Sequence, residues 1–513
     1  MVSYAPMILV ELMRVMDERG YVSMDAAREL AKTLRVPLHR VEGLLSFYPA
    51  FRRSAPPRVA IDVCRDMSCW LRGGEALCRD AQGLHGGDVE VREVSCIGRC
   101  ERAPVAAVNH IPIETATLAR LRALTGGAQP LGHESPVTPR SWRIAADLPT
   151  PRVFDADVLL VELREAGLRG MGGAGFPTAQ KWELVRSTAA DAKYVVCNAD
   201  ESEPGTFKDR VLLEEVPELV LEGMWLAARV VGAARAIVYI RHEYERARRA
   251  LVAALERLPA PCPTEIFVSP GGYIMGEETA LLEALEDKRG EPRNKPPFPG
   301  THGLFQKPTV INNVETLAAA AVIWRRGAAW WKAQGVRGCA GFKFIAVSGH
   351  VARPDVYEVP MGTTVRELLD KAGGMLEGRP LLAFAPGGAS SNFLPADKLD
   401  TPMDFAAMQA AGSMLGSGAL VVVAAGTDLL ALASNVVRFF RNESCGKCVP
   451  CRVGSEKAVT LIDDVIAGRR PRDALALLED LGETLRLTSI CGLGQVALNP
   501  VLSVRQNFPA SRT

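Results

Sequence analysis

The sequence has almost no net charge: 60 Lys and Arg against 59 Asp and Glu leave +1 over 513 residues. It therefore lacks the global field that recruits nucleic acid or an anionic membrane surface. It also lacks the ~20 uninterrupted apolar residues that span a bilayer. The most apolar run, GALVVVAAGTDLLALASNVV, is broken by Gly426 and Asp428. The N-terminal stretch has no basic leader and no cleavage site. It carries Glu11, Arg14, Asp17 and Glu18 among its apolar residues, so it reads as a helix and not a signal peptide. No long repeat or low-complexity tract is present. These absences lead to the expectation of a soluble, cytoplasmic chain with no nucleic-acid partner and no direct membrane insertion. Its length suggests three or four domains, and a hydrophobic content of 48% is ample for their cores.

Cysteine, by contrast, is plentiful, with 12 residues. Without a secretory signal, metal or cluster ligation is favoured over a disulfide framework. Near the C-terminus ESCGKCVPC supplies Cys445, Cys448 and Cys451, and SICGLG adds Cys491. Three thiolates at C-x2-C-x2-C spacing, with a fourth from a distant turn, suit a [4Fe-4S] cluster. Zinc is the alternative, although a zinc ribbon normally uses two separated C-x2-C knuckles. A second set, Cys64, Cys69, Cys96 and Cys100, places each pair just after an expected strand, so both loops meet at one end of a sheet. Four thiolates there suit a [2Fe-2S] cluster. The alternative is a redox disulfide, but the C-x2-C of thioredoxin-type sites is missing from this set. Cys78, Cys197, Cys262 and Cys339 are isolated and read as small buried apolar residues.

The pattern along the chain predicts a multidomain α/β protein. Residues 1–55 read as helices. Residues 56–125 read as a small α/β unit of thioredoxin size, and 126–152, rich in Pro, Gly and polar residues, as a linker. In 153–335 strands such as YVVCNA and AIVYIR alternate with helices, which predicts a parallel, Rossmann-like core. Residues 336–426 suggest a β-grasp domain of short strands around one helix. Residues 427–513 read as helices framing the C-terminal cysteines.

Three stretches of the parallel domain have the chemistry of a nucleotide pocket. In LRGMGGAGFPT four glycines fall within six residues. Gly170, Gly172 and Gly175 formally satisfy G-x-G-x-x-G, but the preceding segment reads as a helix where a Rossmann fingerprint needs a strand. Exposed amides there suit a phosphate or a flat ring, with Lys181 nearby; a mobile surface loop is the bland alternative. NADESEPGTFKDR sets Asp200, Glu201 and Glu203 after a strand, as ribose-binding carboxylates or as a solvated acidic loop. In GGYIMGEETA, Glu277 and Glu278 open a helix, which the dipole alone would explain. Lys295, Phe298, Asn312 and Asn313 add rings and amides of the kind that stack on and edge-bond a flavin or nicotinamide. Two one-electron clusters beside such a pocket call for a converter between hydride and single electrons, and flavin is the usual one.

In order, LRGMGGAGFPTAQKW, CNADESEPGTFKDR, GEETALLEALE, NKPPFP, INNVET, ESCGKCVPC and SICGLG resemble the flavoprotein subunit of respiratory NADH:quinone oxidoreductase over residues 160–505. Residues 1–125 resemble the small 24-kDa-type thioredoxin-like [2Fe-2S] subunit of the same module, here fused to it. Such fusions are similar to the diaphorase (beta) subunits of NAD-dependent formate dehydrogenases and NAD-reducing hydrogenases. The resemblance implies FMN held by Gly170, Gly172, Gly173, Lys181, Asn198, Asp200, Tyr273, Asn312, Asn313 and Thr316. It implies NAD(H) near Gly173, Phe176, Glu203, Glu277, Glu278 and Phe298. It further implies a [2Fe-2S] cluster on the first cysteine set, a β-grasp (SLBB) domain, and a helical [4Fe-4S] domain. Met171 and Met275 depart from the family's arginine and cysteine, which implies altered tuning.

The activity expected is NADH:acceptor oxidoreductase chemistry, with hydride exchanged between NAD(H) and FMN and no protein acid or base required. The partner expected is a molybdenum or tungsten formate dehydrogenase catalytic subunit in a hetero-oligomer. Bifurcating hydrogenase relatives carry an added C-terminal segment that this sequence lacks. A hydrogenase, complex I subunits, and a non-catalytic iron–sulfur scaffold are the alternatives.

Overall fold

The computed structural model describes residues 7–127 and 140–509. The three N-terminal helices are Ile8–Arg19, Met24–Leu34 and Leu38–Phe47. In the first, the apolar stripe Ile8, Leu9, Leu12 and Val15 is buried, as its three-and-four spacing predicts. The core these helices join is not the one inside the small α/β unit that follows them. The Asp287 carboxylate accepts from Ile8 N (2.8 Å) and Leu9 N (2.9 Å) at the head of the first helix. Their apolar residues join one core with Val196, Ile237 and Tyr239 of the parallel domain and with the C-terminal helices.

The small unit is a four-stranded sheet of order β2-β1-β3-β4. Its strands are β1 (Val59–Cys64), β2 (Val89–Val94), β3 (Ala106–Val108) and β4 (Ile111–Ile113). β1 and β2 run parallel, so both cysteine loops emerge at one end, as expected. The unit has a separate core of Val59, Ile61, Val63, Val91 and Leu121, among others.

Part of the stretch expected to be a linker is docked. Trp142 and Ile144 are buried. Trp142 Nε1 donates to Glu215 (2.8 Å), and the Arg143 and Ile144 amides donate to the Glu358 carboxylate (2.6 and 2.7 Å). Residues 128–139 of that stretch lie outside the described residues.

The parallel domain is built on β5 (Tyr194–Ala199), β6 (Arg235–Arg241), β7 (Thr264–Ser269) and β8 (Thr309–Asn313), in the order β7-β6-β5-β8 and all parallel. Both faces are covered, which is why the strands read as continuous apolar runs. Val195, Cys197, Val238 and Ile240 face a core shared with helices Pro217–Val231 and Val314–Arg326. Val196, Ile237, Tyr239 and Ile311 face the other core. Chain order reverses between β5 and β8, and a doubly wound sheet opens a ligand crevice at such a reversal.

A five-stranded mixed sheet follows, in the order β10-β9-β13-β11-β12. It consists of β9 (Phe342–Gly349), β10 (Asp355–Pro360), β11 (Leu381–Ala385), β12 (Leu394–Pro395) and β13 (Ala419–Ala424). It carries helix Val365–Lys371, capped by a reciprocal Thr364–Glu367 box, and a second short helix, Phe405–Ala410. Helices Leu429–Asn442, Val449–Ile466, Leu477–Thr488, Gly492–Val496 and Asn499–Asn507 complete the chain. Among the described residues no helix is long and apolar enough to cross a membrane.

Candidate functional site

A cavity of about 370 Å³ lies at the β5/β8 reversal, within the ~300–1,000 Å³ usual for ligand pockets. Asn198 and Asp200 reach it from the end of β5 and Asn313 from the end of β8; Gly172 and Gly173 come from the glycine loop, and Tyr273, Gly276 and Glu277 from the segment after β7. Its other walls come from distant sequence: Gly387, Ser390, Gly416 and Ser417 of the mixed-sheet domain, and Gly492, Leu493 and Val496 beside Cys491.

Local hydrogen bonds fix the polar lining. Asn198 Nδ2 donates to Gly276 O (2.9 Å), and its Oδ1 accepts from Asp200 N (3.2 Å). Asn313 Nδ2 donates to Asp209 (2.6 Å), while its Oδ1 accepts from Glu315 N (3.0 Å) and caps the following helix. Glu203 accepts from Ser390 N (2.7 Å). Glu201 caps helix Lys208–Glu215, accepting from Asp209 N (2.9 Å) and Arg210 N (3.0 Å). Burial pushes Asp200 up to about 6 and Glu203 up to about 7; burial, and then the nearby Asp209, pushes Glu201 up to about 7.

The glycine loop is built for close approach. Gly173 sits at φ +133°, and a Cβ there would project into open space. Asp200, on the cavity wall, accepts from Ser202 Oγ, and a carboxylate has further acceptor sites that a ligand hydroxyl could use. Both features fit the polyhydroxylated, phosphorylated flavin nucleotide that the sequence implies.

Of the residues singled out from sequence, Gly172, Gly173, Asn198, Asp200, Glu201, Glu203, Tyr273, Glu277 and Asn313 line this cavity. The others lie outside its lining. Thr316 is buried and accepts from Met171 N (2.8 Å). Asn312 accepts from Trp182 Nε1 (2.7 Å). Gly170 N donates to Phe176 O (2.8 Å), closing the loop at its base. Lys181 donates to Ile311 O (2.9 Å) and stands 3.8 Å from Glu278. Lys295 bridges Glu277 (2.7 Å) and Glu278 (3.2 Å). The rings of Phe176 and Phe298 are exposed. Met171 and Met275 are buried side chains.

The sequence reading missed Ser202, Thr206 and Asp209 within the acidic loop, and every residue contributed by the mixed-sheet and C-terminal domains. The glycine–serine turns APGGASS and MLGSG were a usable signal for the mixed-sheet contribution.

The first cysteine set converges. Cys64 contacts Cys69 and Cys96, and Cys96 Sγ lies 3.4 Å from Cys100 Sγ. All four are buried free thiols. Contact with Cys69 and Cys96, then burial, holds Cys64 well above the ordinary thiol range. Contact with Cys100 and Cys64, with the Arg241 charge as a smaller cause, holds Cys96 well below it. Gly98 N donates to Cys96 Sγ (3.4 Å), the kind of amide contact that tunes cluster thiolates.

In the second set, Cys448 and Cys491 occupy the N-cap positions of helices Val449–Ile466 and Gly492–Val496. Burial pushes the Cys451 thiol up to about 11 and that of Cys491 up to about 12. Buried thiols of this kind ionise when a metal supplies the opposing charge. Both sets therefore suit cluster ligation. Among the described residues no group of His, Cys, Asp or Glu is gathered closely enough to chelate one lone ion. Of the isolated cysteines, Cys78 and Cys197 are buried as expected, while Cys262 and Cys339 are half-buried.

Comparison with known proteins matches each part of this architecture. Residues 4–127 match the thioredoxin-like [2Fe-2S] ferredoxin family, and 163–322 the Nuo51 FMN-binding domain. Residues 344–391 match the SLBB domain, and 431–512 the NADH-ubiquinone oxidoreductase-F iron-sulfur binding region. The chain is 42% identical over 371 residues to an F-type NADH-quinone oxidoreductase subunit of Rhizobium meliloti (strain 1021), covering 70% of this chain and 88% of that protein. It is 39% identical to the NADP-reducing hydrogenase subunit HndC of Solidesulfovibrio fructosivorans, over 67% of this chain and 73% of that one. A crystal structure of an NAD+-reducing [NiFe]-hydrogenase in the air-oxidized state contains a similar chain. It has a TM-score of 0.89 and 35% identity, covering 97% of this chain and 92% of that one.

Proposed function

The chain belongs to the family of F-type NADH-quinone oxidoreductase subunits, carrying a thioredoxin-like [2Fe-2S] domain ahead of its FMN-binding domain, and on that premise we propose how its cavity works and which complex it serves. It is an oxidoreductase with FMN, NAD(H), [4Fe-4S] and [2Fe-2S] sites. Flavin supplies the exchange between a two-electron hydride and single electrons.

In our reading the Gly172–Gly173 backbone, Asn198, Asp200 and Asn313 hold FMN. Glu203, Glu277 and Glu278 orient the nicotinamide dinucleotide at the cavity's edge, between the exposed rings of Phe176 and Phe298. The protein's task is orientation and water exclusion, and no side chain needs to move a proton. The observation that carries this reading is the position of the cavity between the two cysteine sets. Gly492 and Leu493, which follow Cys491, form one wall. On another side, the loop 200–206 that lines the cavity meets the Cys100 thiol through the Gly205 amide. A cluster held by either cysteine set would thus lie beside a flavin bound in this cavity.

The partner we propose is the catalytic subunit of a soluble NAD-dependent formate dehydrogenase, which rests on the motif resemblance of the fused chain. A second reading, the diaphorase of an NAD-reducing hydrogenase, is favoured by the nearly full-length likeness to the hydrogenase chain. Anaerobic purification of the native complex tests both. Formate-dependent NAD+ reduction with a molybdopterin subunit supports the first. Hydrogen-dependent NAD+ reduction with nickel supports the second. A complex containing iron but no flavin, and inert to NADH, would point to the scaffold alternative.

A further inference from the structure

The Cys96 loop is gripped by the parallel domain through three side chains. Arg210 Nε donates to Gly98 O (3.2 Å), and Arg210 is neutralised by Glu101 (2.6 Å) and Glu214 (3.2 Å). Tyr244 packs against Gly98, where φ is +77° and a Cβ would lie 2.6 Å from the phenol oxygen. Tyr244 Oη also donates to Glu201. Arg241, at the end of β6, is 3% exposed. Its Nη2 donates to Cys96 O (2.8 Å), and its Nη1 to Glu201 O in the loop that lines the flavin cavity. One guanidinium therefore spans the backbones of a cluster-ligand loop and a flavin-cavity loop.

Its counter-ion, Glu243, binds in a fork (2.6 and 3.0 Å). The Glu243 side chain is 25% exposed against 3% for Arg241, and both border a second cavity of about 320 Å³ together with Cys96, His242 and Tyr273. Solvent screens the carboxylate more than the guanidinium, so the buried side of the pair is positive toward the cluster loop.

We propose that Arg241 is a positioning residue that raises the reduction potential of the [2Fe-2S] site. This rests on the reading that Cys64, Cys69, Cys96 and Cys100 hold that cluster. One-electron reduction adds one negative charge to a four-thiolate site without making or breaking a bond, and the electron comes from NADH through the flavin. A buried cation on the Cys96 carbonyl favours that added charge, and hydrogen bonding and local charge are established levers on such potentials.

The test is an EPR-monitored redox titration of the intact complex. Arg241→Met should lower the reduced-to-oxidised ratio of the [2Fe-2S] signal at fixed potential by about tenfold, 59 mV for a one-electron couple, with the [4Fe-4S] signal unmoved. Arg241→Lys, which keeps the charge, should recover most of that shift. Glu243→Gln, which unmasks the guanidinium, should shift the potential the opposite way. If Arg241→Met fails to retain its cluster, the sign of the Glu243→Gln shift decides. Unchanged potentials, a Glu243→Gln shift downward, or a Lys variant as low as the Met variant would overturn the proposal. Absence of any [2Fe-2S] signal from the wild-type complex would instead overturn the assignment of the four cysteines.

Discussion

Lys343 of β9 donates its ammonium to the Glu315 carboxylate at the head of the helix that follows β8, and both side chains are buried. Glu315 also accepts from Phe344 N (2.9 Å) and pairs with Lys208 (3.0 Å), which in turn bonds Asp209 (2.7 Å) on the cavity wall. The mixed-sheet domain is thereby tied to the wall of the proposed flavin cavity by charge as well as by packing.

Breaking that tie on one side should be costly. Lys343→Met leaves Glu315 with one ammonium partner fewer in a dry site, an effect worth about 3–5 kcal/mol. Lys343→Met combined with Glu315→Gln should cost clearly less than the two single changes added together. Denaturant unfolding of the four proteins checks this, and additivity of the single changes would refute the coupling.

Glu203 should make the flavin-free chain weaker at high pH. Its pKa of about 7 lies above the ordinary value of 4.5 because of burial. The folded state therefore binds its proton more tightly, and the stability it contributes is complete below pH 4.5 and lost as pH rises through 7. Glu203→Gln keeps an oxygen for the Ser390 amide and removes the titration. It should raise stability at pH 8 by up to about 3 kcal/mol and change little at pH 4.5. Thermal melts at the two pH values decide; an equal effect at both would show that Glu203 does not titrate in this window.

Glu278 lies between Lys181 (3.8 Å) and Lys295 (3.2 Å). Glu278→Ala would remove a charge that repels a 2′-phosphate and leave two ammonium groups to attract one. NADPH-dependent dye reduction should rise at least about tenfold in kcat/KM relative to NADH, equivalent to ~1.4 kcal/mol. An unchanged ratio would mean that discrimination lies elsewhere.

Cys491→Ala should remove the fourth thiolate of the C-terminal set. Iron should fall from about six to about two per chain, the count left by a [2Fe-2S] cluster alone, with flavin retained. NADH should still reduce flavin, while electron delivery by way of that cluster stops. Iron analysis together with the flavin absorbance would show this; full iron content in the variant would remove Cys491 from the ligand set.

Much of this protein was legible in one dimension because the signals were local. Cysteine spacing identified both thiol sets, and the period of apolar residues gave the N-terminal helices and the parallel strands. The expectation that the two cysteine loops meet at one end of a sheet followed from their standing after two β-type runs, and the parallel pairing of β1 with β2 bears it out. Glu277 was expected at a helix start, and it caps that helix through Thr279 N and Ala280 N (both 2.9 Å).

What the sequence by itself determined is the inventory: which thiols, glycines and carboxylates are available, and in which elements they sit. Tertiary structure decided which of them meet. Ser390, Gly416 and Leu493 line the same cavity as Asp200 although they lie about 190 to 290 positions from it, and no periodicity encodes such a contact. Nor does any local pattern show that Arg241 touches Cys96, or that Lys343 neutralises Glu315. These pairings arise because sheets and helices bury their apolar faces against one another, and the polar groups caught between must then find partners across domains.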